Sequence, residues 1–144
     1  AIDFPHPKVS EFDFSFSGLK SAVLNYLNSA QMKGETVNNA DVAASFQKAV
    51  VDSLIEKTVD AAKNFRLKKI VLAGGVAANS SLEKNLRAVC NENGFEFFYP
   101  SKILCTDNAA MIACRGYYQS LKNDFATLNL NAVPNLNFRS VADE

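Results

Sequence analysis

Residues 42–65 carry the strongest hydrophobic pattern in the chain, because apolar side chains recur there every three to four positions with charged ones between them. The residues that share one face are Phe46, Val50, Leu54, Thr58, Ala61 and Phe65, with Val51, Ile55 and Ala62 beside them. This spacing is typical of a long amphipathic helix. We therefore predict a helix that packs this face into the core, with Asn39 or Asp41 as its cap.

Three shorter segments show the patterns of strands. Phenylalanines alternate with polar residues over residues 12–16, which predicts a strand with one aromatic face buried. Residues 70–73 are apolar without alternation and precede a glycine pair, as expected for a strand buried on both faces of a parallel sheet. The aromatic run at residues 95–99 predicts a third strand, which Pro100 ends.

Two helices are predicted from period and end signals on either side of the long one. Residues 19–27 repeat apolar side chains at helical spacing, and the polar stretch 28–39 that follows predicts a loop. A second helix should begin at Asn79 or Ser80, because Ser80 and Glu83 have the spacing of a capping box. Asn93-Gly94 is a typical stop signal for that helix.

A last helix is predicted over residues 109–121, after a possible cap at Thr106-Asp107-Asn108. Its side chains expected in the core are Met111, Ile112, Tyr117 and Leu121. Helices that alternate with strands in this order predict an α/β domain, a layered sheet with helices whose parallel strands are joined by right-handed crossovers.

Composition describes an ordinary globular domain and argues against several classes of protein. The 144 residues are 48% apolar, and 15 Lys+Arg balance 15 Asp+Glu, so the chain is neither mainly disordered nor a strongly basic nucleic-acid binder. No apolar run approaches the roughly 18 residues of a membrane span. We therefore expect a cytoplasmic protein without a membrane partner.

Cysteines and the single histidine offer little chemistry by themselves. Cys90, Cys105 and Cys114 form no CxxC pair, which indicates a reducing compartment, and Cys105 and Cys114 are expected to be small core residues. His6 is the only histidine, so this chain cannot build a His-rich metal site alone.

Gly74, Gly75 and Asn79 form the best candidate ligand site, because they follow a predicted strand of a parallel sheet. The glycines could form a tight turn or admit a phosphate, although the segment matches neither a Walker loop nor a GxGxxG fingerprint. Asn79 could cap the next helix or contact a nucleotide, and Asp107 could be a helix cap or a metal ligand. The residues alone leave these alternatives open.

Four segments resemble motifs of a known family. They are FSFSGLK at residues 14–20, DVAASFQ at 41–47, AGGVAANS at 73–80 and CTDNAAMIA at 105–113. In this order they resemble the carboxyl-terminal half of the TsaD family of tRNA threonylcarbamoyladenosine transferases, formerly called O-sialoglycoprotein endopeptidases or glycoproteases. The resemblance implies one lobe of the actin-like ATPase fold, which is related to ribonuclease H.

The same resemblance implies an activity and its participants. The family transfers a threonylcarbamoyl group from threonylcarbamoyl-adenylate to N6 of adenosine 37 in tRNAs that read codons beginning with A. By motif match, Asp107 would be a ligand of a divalent metal, iron or zinc, and Asn79 would contact the nucleotide beside Gly74 and Gly75. The implied partners are tRNA and TsaB-like and TsaE-like subunits.

The chain also departs from the family, because the His-x-x-x-His metal motif is missing from its sequence. We therefore predict that residues 1–121 are a carboxyl-terminal lobe, with a lead-in linker at 1–11 and a weakly ordered tail at 122–144, and that the amino-terminal lobe is absent. Such a fragment is expected to be inactive alone. The alternatives are a non-catalytic nucleotide- or protein-binding module and, following the old family label, a metallopeptidase.

Overall fold

The computed structural model of the chain describes residues 2–5 and 12–134. Its elements are α1 (Ser17–Lys33), α2 (Asn39–Asn64), β1 (Lys69–Val71), α3 (Ser80–Asn93), β2 (Glu96–Phe98) and α4 (Ala109–Leu121). Single 3₁₀ turns occupy Gly75–Ala78 and Lys102–Leu104. The described residues form two compact units that divide between Thr106 and Asp107. The protein is thus helix-rich α/β, in agreement with the predicted class.

A parallel pair of strands forms the sheet of the first unit. Ile70 in β1 lies opposite Phe97 in β2, and α3 provides the crossover between the two strands. Backbone bonds extend the ladder at both ends, because Glu96 N donates to Lys68 O at 2.8 Å and Leu72 N donates to Phe98 O at 3.0 Å. The strands predicted at 70–73 and 95–99 are confirmed, each with a shorter extent, but the expectation that the first is buried on both faces is wrong, because Ile70 is buried and Val71 is exposed.

Helix α2 carries residues of two hydrophobic clusters. The larger cluster joins α2 to α3 and the sheet through Val51, Ile55, Val59, Ala62, Ile70, Leu82, Leu86 and Cys90. The smaller cluster joins the start of α2 to α1 and the amino-terminal segment through Phe4, Leu19, Val42 and Ala49. Because α3 packs on the carboxyl-terminal half of α2, the start of α3 lies beside the middle of α2.

The long helix forms, but the prediction of Asn39 or Asp41 as its cap is wrong, because Asn38 is the cap and its Oδ1 accepts a bond from Ala40 N at 3.0 Å. The buried face of the helix is also rotated from the expected one. Phe46 is 40% exposed and Phe65 is 60% exposed, whereas Val51 is only 3% exposed. Phe46 and its neighbours along the helix line an open groove beside α3. A hydrophobic stripe can be predicted from sequence, but the position of the neighbouring element that packs on the helix decides which edge of a wide stripe is buried.

The amino-terminal region differs from its prediction in two ways. Residues 13–16 have no strand structure and Phe12 lies in a turn, and α1 continues through the predicted loop as far as Lys33. The described residues offer this segment no partner strand, and a strand needs one to satisfy its backbone. Helix α1 ends at Gly34, whose φ of +67° suits glycine.

Helix α4 has the predicted bounds but not the predicted burial. Met111 is 53% exposed, Ile112 76%, Tyr117 60% and Leu121 62%, and no residue of α4 is buried. Cys114 is also exposed, so the expectation that it is a core residue is wrong, whereas Cys105 is buried. The period of a helix can be read from local sequence, but burial of one of its faces requires a neighbouring element.

The helices of the described residues include none with the length and apolar character of a membrane span.

Candidate functional site

The loop after β1 makes a sharp turn, in which Gly74 has a backbone conformation that favours glycine. Gly74 has a φ of +91°, and the 3₁₀ turn that follows is closed by a bond from Ala77 N to Gly74 O at 3.0 Å. A side chain at this φ would be strained. Gly75 has no such restriction, and a Cβ placed there would meet nothing within 4 Å. Gly74 is therefore required for the turn, while Gly75 lies in open space.

Asn79 caps α3, which confirms one of the two roles predicted for it. Its Oδ1 accepts bonds from Ser81 N at 2.9 Å and from Leu82 N at 3.0 Å. The capping box expected between Ser80 and Glu83 does not form, because the cap lies one residue earlier and Glu83 accepts a bond from Arg87 Nε instead. The carbonyl end of the Asn79 side chain is thus committed to the helix.

The amide end of Asn79 reaches the long helix. Asn79 Nδ2 donates to Gln47 Oε1 at 3.0 Å, across 32 residues of sequence. Gln47 was not singled out as a site residue from sequence, although it is the last residue of the DVAASFQ segment. Its place in that segment was the only signal in the sequence that could have identified it, because no local pattern shows that α2 lies against the start of α3.

A groove of about 310 Å³ lies between α2 and the start of α3, beside this amide pair. It is lined by Ala43, Phe46, Gln47, Val50, Val51, Leu54, Val76, Asn79 and Leu82. The walls are mainly apolar, with two side-chain amides as the polar groups. An apolar groove with a few fixed polar groups is the usual form of a small-molecule site.

Asp107 belongs to the second compact unit and is exposed. The residue that caps α4 is Asn108, whose Oδ1 accepts a bond from Met111 N at 3.1 Å. The interpretation of Asp107 as the cap of α4 is therefore wrong. In the described part of the chain, no group of three or more His, Cys, Asp or Glu side chains could hold a metal. A single exposed carboxylate does not fit a metal site by itself.

The buried cysteines are structural rather than nucleophilic. Cys90 is fully buried, and this burial raises the pKa of its thiol, which leaves less thiolate for reaction. Cys105 is 2% exposed, and its side-chain hydrogen bond with Tyr99 raises the pKa of the Tyr99 hydroxyl. The first residue of the CTDNAAMIA segment is therefore buried in the first unit.

The sequence model of the TsaD family, described as tRNA N6-adenosine threonylcarbamoyltransferase, matches residues 1–114. The chain belongs to this family. Three curated proteins with that name are similar to this TsaD-family chain. Those of Moorella thermoacetica, Desulfitobacterium hafniense and Clostridium botulinum are 56%, 57% and 54% identical over 138, 139 and 138 residues.

These matches cover 94%, 95% and 94% of this chain but only 40%, 41% and 41% of the relatives. The chain thus spans about 40% of the length of the curated relatives it matches. Its resemblance to the family is confirmed. The role of each site residue is not tested by this match and stays a proposal.

The capping role of Asn79 can be tested by substitution. In the 144-residue chain, Asn79→Ala is expected to lower the free energy of unfolding by about 1 kcal/mol, because two N–H groups of α3 lose their acceptor. Asn79→Ser should cost less than about 0.5 kcal/mol, since serine caps a helix nearly as well as asparagine. Urea unfolding followed by circular dichroism measures both, and equal losses would contradict the capping role.

Proposed function

We propose that this chain is the carboxyl-terminal part of a tRNA N6-adenosine threonylcarbamoyltransferase. The complete enzyme, called the intact transferase below, moves the threonylcarbamoyl group of threonylcarbamoyl-adenylate to N6 of adenosine 37 in tRNA. The observation that carries this proposal is the family match over residues 1–114, which includes all four sequence motifs. The 144-residue chain alone is inactive in this proposal.

The chain contributes the adenylate-binding edge of the active site. The turn at Gly74 leads to the start of α3, where the macrodipole favours a negatively charged group. The open space at Gly75 lets a ligand approach the backbone closely, and Asn79 donates an amide N–H to the adenylate. Because the Oδ1 of Asn79 is already bonded to α3, its contribution to the ligand comes from Nδ2.

Asp107 contributes one ligand to a divalent iron or zinc ion, whose other ligands come from residues outside this chain. The support for this role is the position of Asp107 in the CTDNAAMIA motif and its exposed side chain. Since one carboxylate does not make a metal site, the chemistry derived for this chain is limited to binding and orientation of the adenylate.

The chain forms one lobe of an actin-like ATPase fold over residues 1–121, followed by a tail at 122–144. The enzyme works in the cytoplasm on tRNA, together with TsaB-like and TsaE-like subunits. Because the net charge of this chain is zero, its phosphate contacts alone would bind tRNA weakly, so partner surfaces supply much of the attraction.

The test is the formation of threonylcarbamoyladenosine in unmodified tRNA by the intact transferase and its partner subunits. Nucleoside mass spectrometry of the tRNA should detect the product only when threonylcarbamoyl-adenylate is supplied. Asn79→Ser should raise the KM for the adenylate about 10-fold, because the hydrogen bond from the amide to the adenylate is lost while the helix cap remains. Activity should then recover at high adenylate concentration.

Two results would contradict this function. Absence of the modified nucleoside with the wild-type system would remove the transferase assignment and favour a non-catalytic binding module. Cleavage of a protein substrate by the same preparation, abolished by Asp107→Ala, would favour the metallopeptidase.

A further inference from the structure

The Asn79 side chain can present its amide in two orientations that differ by a half-turn about its last bond. Its two ends have different chemistry, because the oxygen only accepts hydrogen bonds and the nitrogen only donates them. The cap of α3 needs the oxygen on the side of Ser81 and Leu82. The partner on the opposite side is the Gln47 Oε1, which accepts from Nδ2 at 3.0 Å.

Gln47 is exposed and lies one helical turn before a residue of the main core. Four residues further along α2, Val51 is 3% exposed in the main core, and it packs with Leu82 of α3. This packing fixes the distance between α2 and the first turn of α3. The backbone of Gln47 is therefore positioned by the same packing that positions the start of α3, and its Oε1 is held by the bond to Asn79.

The amide nitrogen of Asn79 carries two N–H groups, and the bond to Gln47 uses one of them. The second N–H is left to a ligand at the edge of the groove that both residues line. Without the acceptor of Gln47, the Asn79 side chain would be held on its oxygen side only. Its Nδ2 would then spend less time in the orientation that serves a ligand.

We propose that Gln47 is a positioning residue for adenylate binding, which acts by holding the Asn79 amide with one N–H available to the adenylate. This inference rests on the proposed function, because it requires that Asn79 binds the adenylate. Gln47 itself acts through Asn79 and does not contact the reacting atoms. Its effect should therefore fall on binding, and the KM should change while kcat does not.

The experiment measures KM and kcat for threonylcarbamoyl-adenylate in the intact transferase with Gln47→Met. Methionine keeps the length of the side chain and a high helix propensity but lacks a strong acceptor. We expect KM to rise roughly three- to ten-fold, as for one net hydrogen bond, with kcat within about two-fold of wild type. The matched control is Gln31→Met on the exposed surface of α1, which should change neither constant.

A double-substitution cycle separates an indirect role from a direct one. In the Asn79→Ser background no amide remains to be oriented, so adding Gln47→Met should leave KM within about two-fold of the single variant. An equal rise of KM in both backgrounds would overturn the proposal, because Gln47 would then contact the adenylate itself. Melting temperatures of all variants should agree with wild type. A drop confined to Gln47→Met would assign the residue a structural role and also overturn the proposal.

The cycle also distinguishes failure of this inference from failure of the proposed function. If Asn79→Ser raises KM and Gln47→Met does not, only the positioning role is removed. If Asn79→Ser leaves KM unchanged in a folded enzyme, the adenylate contact of Asn79 is wrong, and the role of Gln47 is removed with it.

Discussion

Asp107→Ala in the intact transferase is expected to reduce threonylcarbamoyl transfer by on the order of 100-fold or more, because removal of even an outer-shell partner of a metal costs 10- to 100-fold. The fold should be unaffected, since Asp107 is exposed and the cap of α4 is Asn108. The measurement is the amount of threonylcarbamoyladenosine formed in unmodified tRNA, with a thermal melt of each preparation.

The matched control is Asp60→Ala, which removes an exposed carboxylate of α2 outside the groove. It should leave both the activity and the melting temperature unchanged. Full activity of the Asp107 variant would contradict its assignment as a metal ligand. Loss of activity with a matching fall in melting temperature would instead assign Asp107 a structural role.

Leu86→Ala is expected to lower the free energy of unfolding of the 144-residue chain by about 2–5 kcal/mol, the range for a leucine truncated in a packed core. Leu86 is 4% exposed, and it lies in the cluster that joins α3 to α2 and the sheet. A loss of this size is a large part of the stability of an ordinary domain. Urea unfolding followed by circular dichroism measures it.

The matched control for this substitution is Leu24→Ala in α1, where the leucine is 51% exposed. Its cost should remain below about 1 kcal/mol, since half of the side chain is already in water and truncation removes less buried apolar surface. Similar losses at the two positions would mean that α3 does not pack on α2 as described. That outcome would also remove the support for the bond between Gln47 and Asn79.

The proposed adenylate-binding edge shows how far local signals extend. A turn at Gly74 was one of two alternatives predicted for the glycines, and a helix cap was one of two predicted for Asn79. Both could be predicted because a positive φ and an N-cap each have a strong residue preference. Neither prediction required knowledge of a neighbouring element. The groove beside them was not predicted, since its walls come from α2 and α3 together.

Errors in the fold prediction have the same origin. Residues 12–16 alternate as a strand does, but the described residues give them no partner strand. Phe46 was predicted to be buried because it lies on a wide apolar stripe, and it faces the open groove instead. In each case the pattern was local, while the outcome depended on a contact distant in sequence.

The sequence by itself determined the family, through four motifs, and the positions of α2, α3, α4 and both strands, through period and end signals. These features follow from interactions within a few residues, so they can be read directly from the chain. Only the tertiary structure decided which edge of α2 is covered and which partner the Asn79 amide has. The bond to Gln47 spans 32 residues and exists because α3 packs on α2 at a distance that side-chain volumes in the core set.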